Sequence, residues 1–294
     1  MSILDDLCKG TMKLPSSRIF HYCALVMLVV APIVTVATTA AAGSFSASSG
    51  NLRATFTYTG AFPQAHDTTL SVSRSGKVID VESVTSKWCD HQCWPNSVAP
   101  KAQVVRIVRL RPNGPLDIVL SLYSGGAHCC TVEQVYVLHK ASLTKSEYNF
   151  GDPSALLEPI GKGGSSVFVS GDDRFAYAFT DFAASGLPLK VMSFSRGSFH
   201  NITDNYPERI ARDAANWRTA FFAQASSHYQ DTTGLAAAWA ADEDLLGHAA
   251  QVQRFLVTQS RAGHLNSAIS PEEPDGNKFI ASLDKFLVKW DYAH

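Results

Sequence analysis

The hydrophobic period of this chain changes once, near Thr203, and a chain that reads as strands before that point and as helices after it has few folds open to it. Between Leu52 and Thr203 the apolar residues alternate or gather in short β-branched runs: Leu52, Ala54, Phe56 and Tyr58, then VVRIV (104–108) and IVL (118–120). VYVL (135–138), VFV (167–169), FAYAF (175–179) and LKVMSF (189–194) continue the pattern. A period of two predicts half-buried strands, roughly eight to ten of them. The clusters SRSG (73–76), RPNG (111–114), GKGG (161–164) and SRG (195–197) are tight turn sequences, so neighbouring strands are expected to pair as antiparallel hairpins.

Beyond Thr203 the spacing is helical. Pro207 suits a first helical turn, and Ile210, Ala214, Trp217 and Phe221 then share one face. A second helix is expected over about 231–246 with Gly247 as its stop, and a third follows to about Ser260. After the breaker-rich SPEEPDG (270–276), a last helix carries Phe279, Ile280, Leu283, Phe286, Leu287 and Trp290 in one stripe that must be covered. The expected fold class is α+β, an antiparallel β domain over 43–205 followed by a C-terminal helical domain over 206–294. With 46% hydrophobic residues in 294 the chain can bury a real core. Its 25 basic and 26 acidic side chains leave no electrostatic footprint for nucleic acid.

Residues 1–42 read as an address. Lys9, Lys13 and Arg18 precede an apolar run from Phe20 to Ala42 in which His21 is the one titratable side chain apart from Tyr22 and Cys23, and Ala40, Ala41 and Ala42 stand before Gly43. Basic, apolar and small-residue regions in that order form a signal peptide, which implies a secreted, periplasmic or cell-envelope protein. The alternative is an uncleaved anchor, giving a single-pass protein with an extracytoplasmic domain and no other membrane contact. Cleavage would remove Cys8 and Cys23 and leave Cys89, Cys93, Cys129 and Cys130, an even number that favours disulfides in an oxidising compartment.

Residues 110–121 (LRPNGPLDIVLS) and 160–171 (IGKGGSSVFVSG) align at an offset of fifty, matching Leu110 with Ile160, Gly114 with Gly164 and Val119 with Val169. This glycine turn and strand resembles a degenerate FG-GAP (VCBS-like, integrin-alpha-like) repeat. LYSGGAHCC (122–130) and SGDDRFAYAF (170–179) are similar to motifs of uncharacterised secreted bacterial proteins that carry such repeats. The resemblance implies a β-repeat fold and, by family habit, calcium. The first loop, however, offers Arg109, Arg111, Asn113 and Asp117 and the second Gly161, Lys162 and Gly163, so the calcium carboxylates are lost.

Three sets of residues are candidates for chemistry. Cys89-Asp90-His91-Gln92-Cys93 and His128-Cys129-Cys130 supply soft and borderline ligands of the kind that zinc or copper takes, although export favours disulfides. Four cysteines allow three connectivities, and a crosslink between the two segments is preferred because the longer loop constrains the unfolded chain more. Tyr123-Ser124-Gly125-Gly126 is a turn whose amides offer an anion nest, and Ser124 near His128 lacks the elbow and the acid of a catalytic serine. Asp172-Asp173-Arg174 is the most conspicuous acid pair, with Arg174 expected to brace it and to lower both carboxyls, or, as the alternative, with the pair forming a ligand or metal contact together with His91 or His128. His128, between Ala127 and the crosslinked cysteines, is expected to be held against the sheet. Asp242, Glu243 and Asp244 are expected on a solvated helix face. The sequon Asn201-Ile202-Thr203 is a glycosylation acceptor only in some hosts, and His66, His139, His200, His228, His248 and His264 are scattered without metal spacing.

The function these readings support is a non-enzymatic extracytoplasmic module that binds a protein or glycan at the cell envelope. The alternative is a hydrolase or metal-dependent enzyme with its site near His128 and Asp172/Asp173. The company of these three residues argues that they support structure rather than turnover.

Overall fold

The computed structural model describes residues 42–89, 92–97, 103–140, 142–227, 231–266 and 274–293. Residues 1–41 of the segment read as a signal, with Cys8 and Cys23, lie outside them, as do Asp90, His91 and His228. Among the described residues no helix is long and apolar enough to cross a membrane.

Alternating residues and tight turns build three antiparallel sheets. The first is a meander of β1 (Ala42–Ser49), β2 (Leu52–Ala61), β3 (Gln64–Arg74) and β4 (Lys77–Ser83). The second contains β5 (Trp94–Pro95), β6 (Val105–Val108), β7 (Asp117–Gly126), β8 (Cys129–Leu138) and β9 (Leu143–Gly151). Its order is β5-β7-β8-β9, with β6 also paired to β7. The third is a meander of β10 (Leu156–Glu158), β11 (Val167–Gly171), β12 (Leu189–Ser195) and β13 (Ser198–Asn201). The expected turns close hairpins. At Ser75-Gly76 and Arg196-Gly197 both central residues have positive φ (51° and 79°; 51° and 77°), the type I′ geometry whose twist matches the strands it joins.

The second sheet is covered on both sides, which explains why IVL and VYVL read as unbroken apolar runs. Along β7 and β8, Ile118, Leu120, Leu122, Val132 and Tyr136 face Leu52, Phe56, Leu70 and Val72 of the first sheet. The alternate residues Val119 and Val135 join Phe150 against Phe168, Met192 and Phe194 of the third. The two sequence copies fifty residues apart occupy the β6–β7 and β10–β11 turns and lie side by side. The Ser166 amide donates to the Arg109 carbonyl at 2.7 Å, and a Cβ on Gly163 would stand 3.1 Å from Pro112.

The helices are α1 (Pro207–Ala225), α2 (Thr233–Leu245), α3 (Ala249–Arg261) and α4 (Gly276–Lys289). Pro207 opens α1, and Gly247 follows α2 at φ 79°. The stripe Phe279, Ile280, Leu283 and Leu287 is buried with Trp239, Val252, Leu256 and Phe221. The alanine-rich α2 is buried nearly all round because other elements pack on every side of it.

The strand expected at FAYAF does not form. After a short 3-10 turn over Asp173–Phe175 the chain continues in turns. Phe175 stands 4.9 Å from Phe286, and Phe179 stands 5.4 Å from Phe279. The alternation is real, but it is used to insert two rings into the helical core instead of to pair with a neighbouring strand.

Candidate functional site

Asp172 follows β11 at the point where the chain turns from the third sheet toward the helices, and its side chain is the hub of the site. It is 0% exposed. As the cap of the 3-10 turn its Oδ1 accepts the Arg174 amide at 3.2 Å, and both oxygens accept Arg174 Nε at 2.9 Å. Arg174 Nη2 also donates to Oδ2, Lys190 Nζ reaches Oδ1 at 3.2 Å from β12, and the Tyr292 hydroxyl donates to Oδ2 at 2.8 Å. Burial pushes the carboxyl up, but the Arg174 hydrogen bonds, the Lys190 and Arg174 charges and the Tyr292 hydroxyl outweigh it and hold Asp172 below its ordinary range. Arg174 thus braces the acid as the sequence predicts. Lys190 and Tyr292 carry no local motif and were not legible as its partners.

The two cations face a cleft of about 470 Å³ between β9, β12, β13 and the ends of α2 and α4. The Arg174 guanidinium lies 4.6 Å from the centre of the Trp290 ring, and Lys190 Nζ lies 5.6 Å from that of Tyr148. Their side chains keep 28% and 12% of their area exposed. Asn201, Asp204 and Asp291 line the same cleft. Asn201 Oδ1 is occupied, accepting the Thr203 amide at 3.1 Å and the Thr203 hydroxyl at 2.6 Å.

Asp173 and His128 belong to a different neighbourhood. Asp173 Oδ1 accepts the Asp152 amide at 3.1 Å, and burial, opposed by that bond and reinforced by the Asp152 and Asp172 charges, raises its carboxyl. The lowering expected from Arg174 is therefore confined to Asp172, because the guanidinium is committed there. His128 has φ 55°, a side chain 48% exposed, and Nδ1 3.9 Å from Asp152 Oδ1. Its ring lies 4.0 Å from that of Phe182 at a tilt of 36°, so it leans on an aromatic and not on the sheet as expected. Asp152 links His128 and Asp173, while Asp172 points toward Tyr292.

The cysteines pair locally. Cys89 bonds Cys93, and Cys129 bonds Cys130, which corrects the crosslink expected between the segments. Cys93 enters β5 and Cys129 opens β8, and these strands flank β7 on opposite sides. Two strand spacings make about 10 Å, beyond the roughly 7 Å between Cα atoms that a disulfide spans. The same separation parts the two halves of the zinc or copper reading, of which His91 lies outside the described residues. Ser124 Oγ accepts the Cys130 amide at 2.6 Å and the Gly126 amide at 3.3 Å, so the Gly126 amide, one of those offered as an anion nest, is spent on the turn itself.

The calcium that the repeat resemblance implies does not fit the loops. Asp117 is fully buried and its carboxylate is paired with Arg111 at 2.5 Å, while Arg109 donates to the Gly114 carbonyl. Lys162 and glycines make up the second loop. Melting temperature is therefore expected to stay constant when calcium or a chelator is added. A cation at one hundred times its dissociation constant would add about 2.7 kcal/mol, so a chelator-reversible rise would refute this.

A second buried acid was misread in the sequence. Asp242, expected on a solvated face, is 0% exposed, and neither of its oxygens has a hydrogen-bond partner in good geometry among the described residues. Burial first, and then the Asp213 carboxylate of α1, push it up to about 10, so it keeps its proton at neutral pH. Asp213 itself accepts Trp217 Nε1 at 2.9 Å. Asp244 is pushed to about 6 by burial, Asp284 and Glu243, and His248 Nδ1 meets Glu243 at 2.6 Å.

Over 149 residues the chain is 24% identical to a probable thylakoid lumen protein of Synechocystis sp., which covers 49% of this chain and 44% of that protein. The chain thus matches less than half the length of this relative. No protein-family model and no solved structure matches it.

Proposed function

We propose that this chain is an exported, non-enzymatic binding module that works outside the cytoplasm and takes its ligand in the cleft beside Asp172. The observation that carries the reading is the commitment of Asp172. The acid most conspicuous in the sequence is shut away under three side-chain donors, while the cations that hold it and the rings they rest on line the cleft. A general acid or nucleophile needs reach to a substrate and a tuned proton, and Asp172 has neither. Fixed charges beside aromatic walls on rigid elements suit recognition. Export is supported by the apolar 20–42 run, by the Cys89–Cys93 bond and by the compartment in the name of the Synechocystis relative. The side-by-side loops at an offset of fifty support a β half built from degenerate FG-GAP-like units.

The full chain, expressed with its own N-terminal segment, should be recovered from the extracytoplasmic fraction. It should capture a partner from a panel of envelope glycans and proteins, and Trp290→Ala should weaken that capture at least tenfold. A screen of ester, peptide and glycoside substrates should show no turnover. Turnover abolished by His128→Ala with the melting temperature unchanged would overturn the reading in favour of a hydrolase.

A further inference from the structure

We infer that the free edge of β1, with the groove between β1 and β6, docks an extended segment of a partner protein in which hydroxyl and apolar residues alternate and none is charged. This groove shares no lining residue with the cleft beside Asp172 and stands independently of it.

Backbone geometry comes first. β1 and β2 are joined by the two-residue turn Gly50-Asn51, with Gly50 at φ 58°, so Ser49 and Leu52 exchange both backbone bonds. Alternation along the ladder then turns the amides and carbonyls of Ser44, Ser46 and Ser48 away from β2, and among the described residues none of these groups has a backbone partner. Such a row is a template for another strand unless the sequence blunts it. The other sheet edges are blunted. β4 carries Lys77, Asp80, Glu82 and a register shift, and β9 carries Lys145 and Glu147. β5 contains Pro95, and β6, β10 and β13 are at most four residues long. β1 is eight residues of regular register without charge or proline.

The groove defines the partner's side chains. Its volume is about 470 Å³, with residues 45–48 along one wall and residues 103–108 along the other. Phe45, Ala47, Val105 and Ile107 supply its apolar part and belong to the packing between the first two sheets. A strand added beyond β1 turns every second side chain toward this apolar part and the rest to the outer face. On that face Ser46 bonds Thr55 at 3.0 Å and Thr57 bonds Thr69 at 2.8 Å, a run of hydroxyls that serine or threonine on the incoming strand extends. Arg106 is the one charged residue of the lining, and it is committed to the buried Glu133 at 2.5 Å, so a charge on the incoming strand finds no partner. The chain's own residues 98–102 carry Pro100 and Lys101 and do not meet this description. A second copy pairing through β1 has its Phe45 and Ala47 turned to its own core, which leaves Val105 and Ile107 uncovered.

Ser46→Pro removes one free amide at a position where an edge strand tolerates proline, because that amide points away from the ladder. The full chain and this variant are titrated with the acetylated, amidated peptide SVTVSV, with the same peptide methylated on its backbone nitrogens, and with SKTKSK. SVTVSV should bind at least tenfold more tightly than either control, and Ser46→Pro should weaken it tenfold or more at an unchanged melting temperature. Hydrogen exchange at the Ser44, Ser46 and Ser48 amides of the unsubstituted chain should slow at least tenfold on saturation with SVTVSV, a readout that needs no variant. Slow exchange at these amides before peptide is added would show that the chain covers its own edge, and protection that grows with protein concentration alone would put a second copy there. Either result overturns docking of a partner strand. Equal binding of the methylated peptide would overturn backbone pairing, equal binding of SKTKSK would overturn the uncharged class, and no binding of SVTVSV would overturn the site.

Discussion

Asp172→Ala should cost more stability than any other single substitution at the cleft. Removing the carboxylate leaves Arg174 and Lys190 facing each other without their shared anion and the buried Tyr292 hydroxyl without its acceptor. Breaking a buried ion pair by deleting one partner costs about 3–5 kcal/mol, because the remaining charge stays desolvated. For a chain of this size that corresponds to a fall of roughly 10 °C in melting temperature. Partial exposure of Arg174 lets its guanidinium recover some hydration, so the lower end of the range is expected. Denaturant and thermal unfolding measure it directly. A variant within about 1 kcal/mol of the parent would show that Tyr292 and the two cations find other partners and that Asp172 is not the hub.

The same residue shows how far the sequence could be read. The pairing of Asp172 with Arg174 is local, two positions apart, and is visible as a motif. The bond to Tyr292 spans 120 positions and joins the end of β11 to the residues after α4, which no spacing rule anticipates. Hairpins were legible for the same reason of locality: Ser75-Gly76 and Arg196-Gly197 carry their own turn geometry. Pro207 and Gly247 likewise mark helix ends by their backbone chemistry. What failed was settled by neighbours distant in sequence. FAYAF alternates like a strand, yet Phe175 and Phe179 are claimed by α4. The cysteine segments are joined in neither direction because β7 lies between β5 and β8, an order that the turns alone do not give. Asp242 has the composition of a surface residue, but α2 is enclosed on nearly every side and its position faces inward.

That enclosure sets the dependence of stability on pH. The unfolded chain gives up the Asp242 proton near pH 4 and the folded chain at about 10, so at every pH between them unfolding releases a proton and stability falls as pH rises. Glu133, pushed up to about 7 by burial against the opposing Arg106 charge and the Ser121 hydrogen bond, acts in the same direction between about pH 4 and 7. Asp172 has the opposite sign. Its folded carboxyl lies below its ordinary range, so its contribution is present above about pH 4 and is lost as the solution becomes more acidic. The two signs together place maximum stability on the acidic side of neutrality, near pH 4, where the loss of the Asp172 contribution begins and the Asp242 decline has not yet run. Even a third of the decline that the full shift implies between pH 5 and 9 amounts to about 2 kcal/mol, or roughly 4–8 °C. Asp242→Asn holds the neutral shape at every pH. It should leave the melting temperature at pH 5 close to that of the parent, raise it at pH 9 and flatten most of the decline between. A variant whose pH profile runs parallel to the parent's would mean that Asp242 is ionised in the folded chain and that the Leu189 backbone bond, which favours the charged form, outweighs burial and the Asp213 carboxylate.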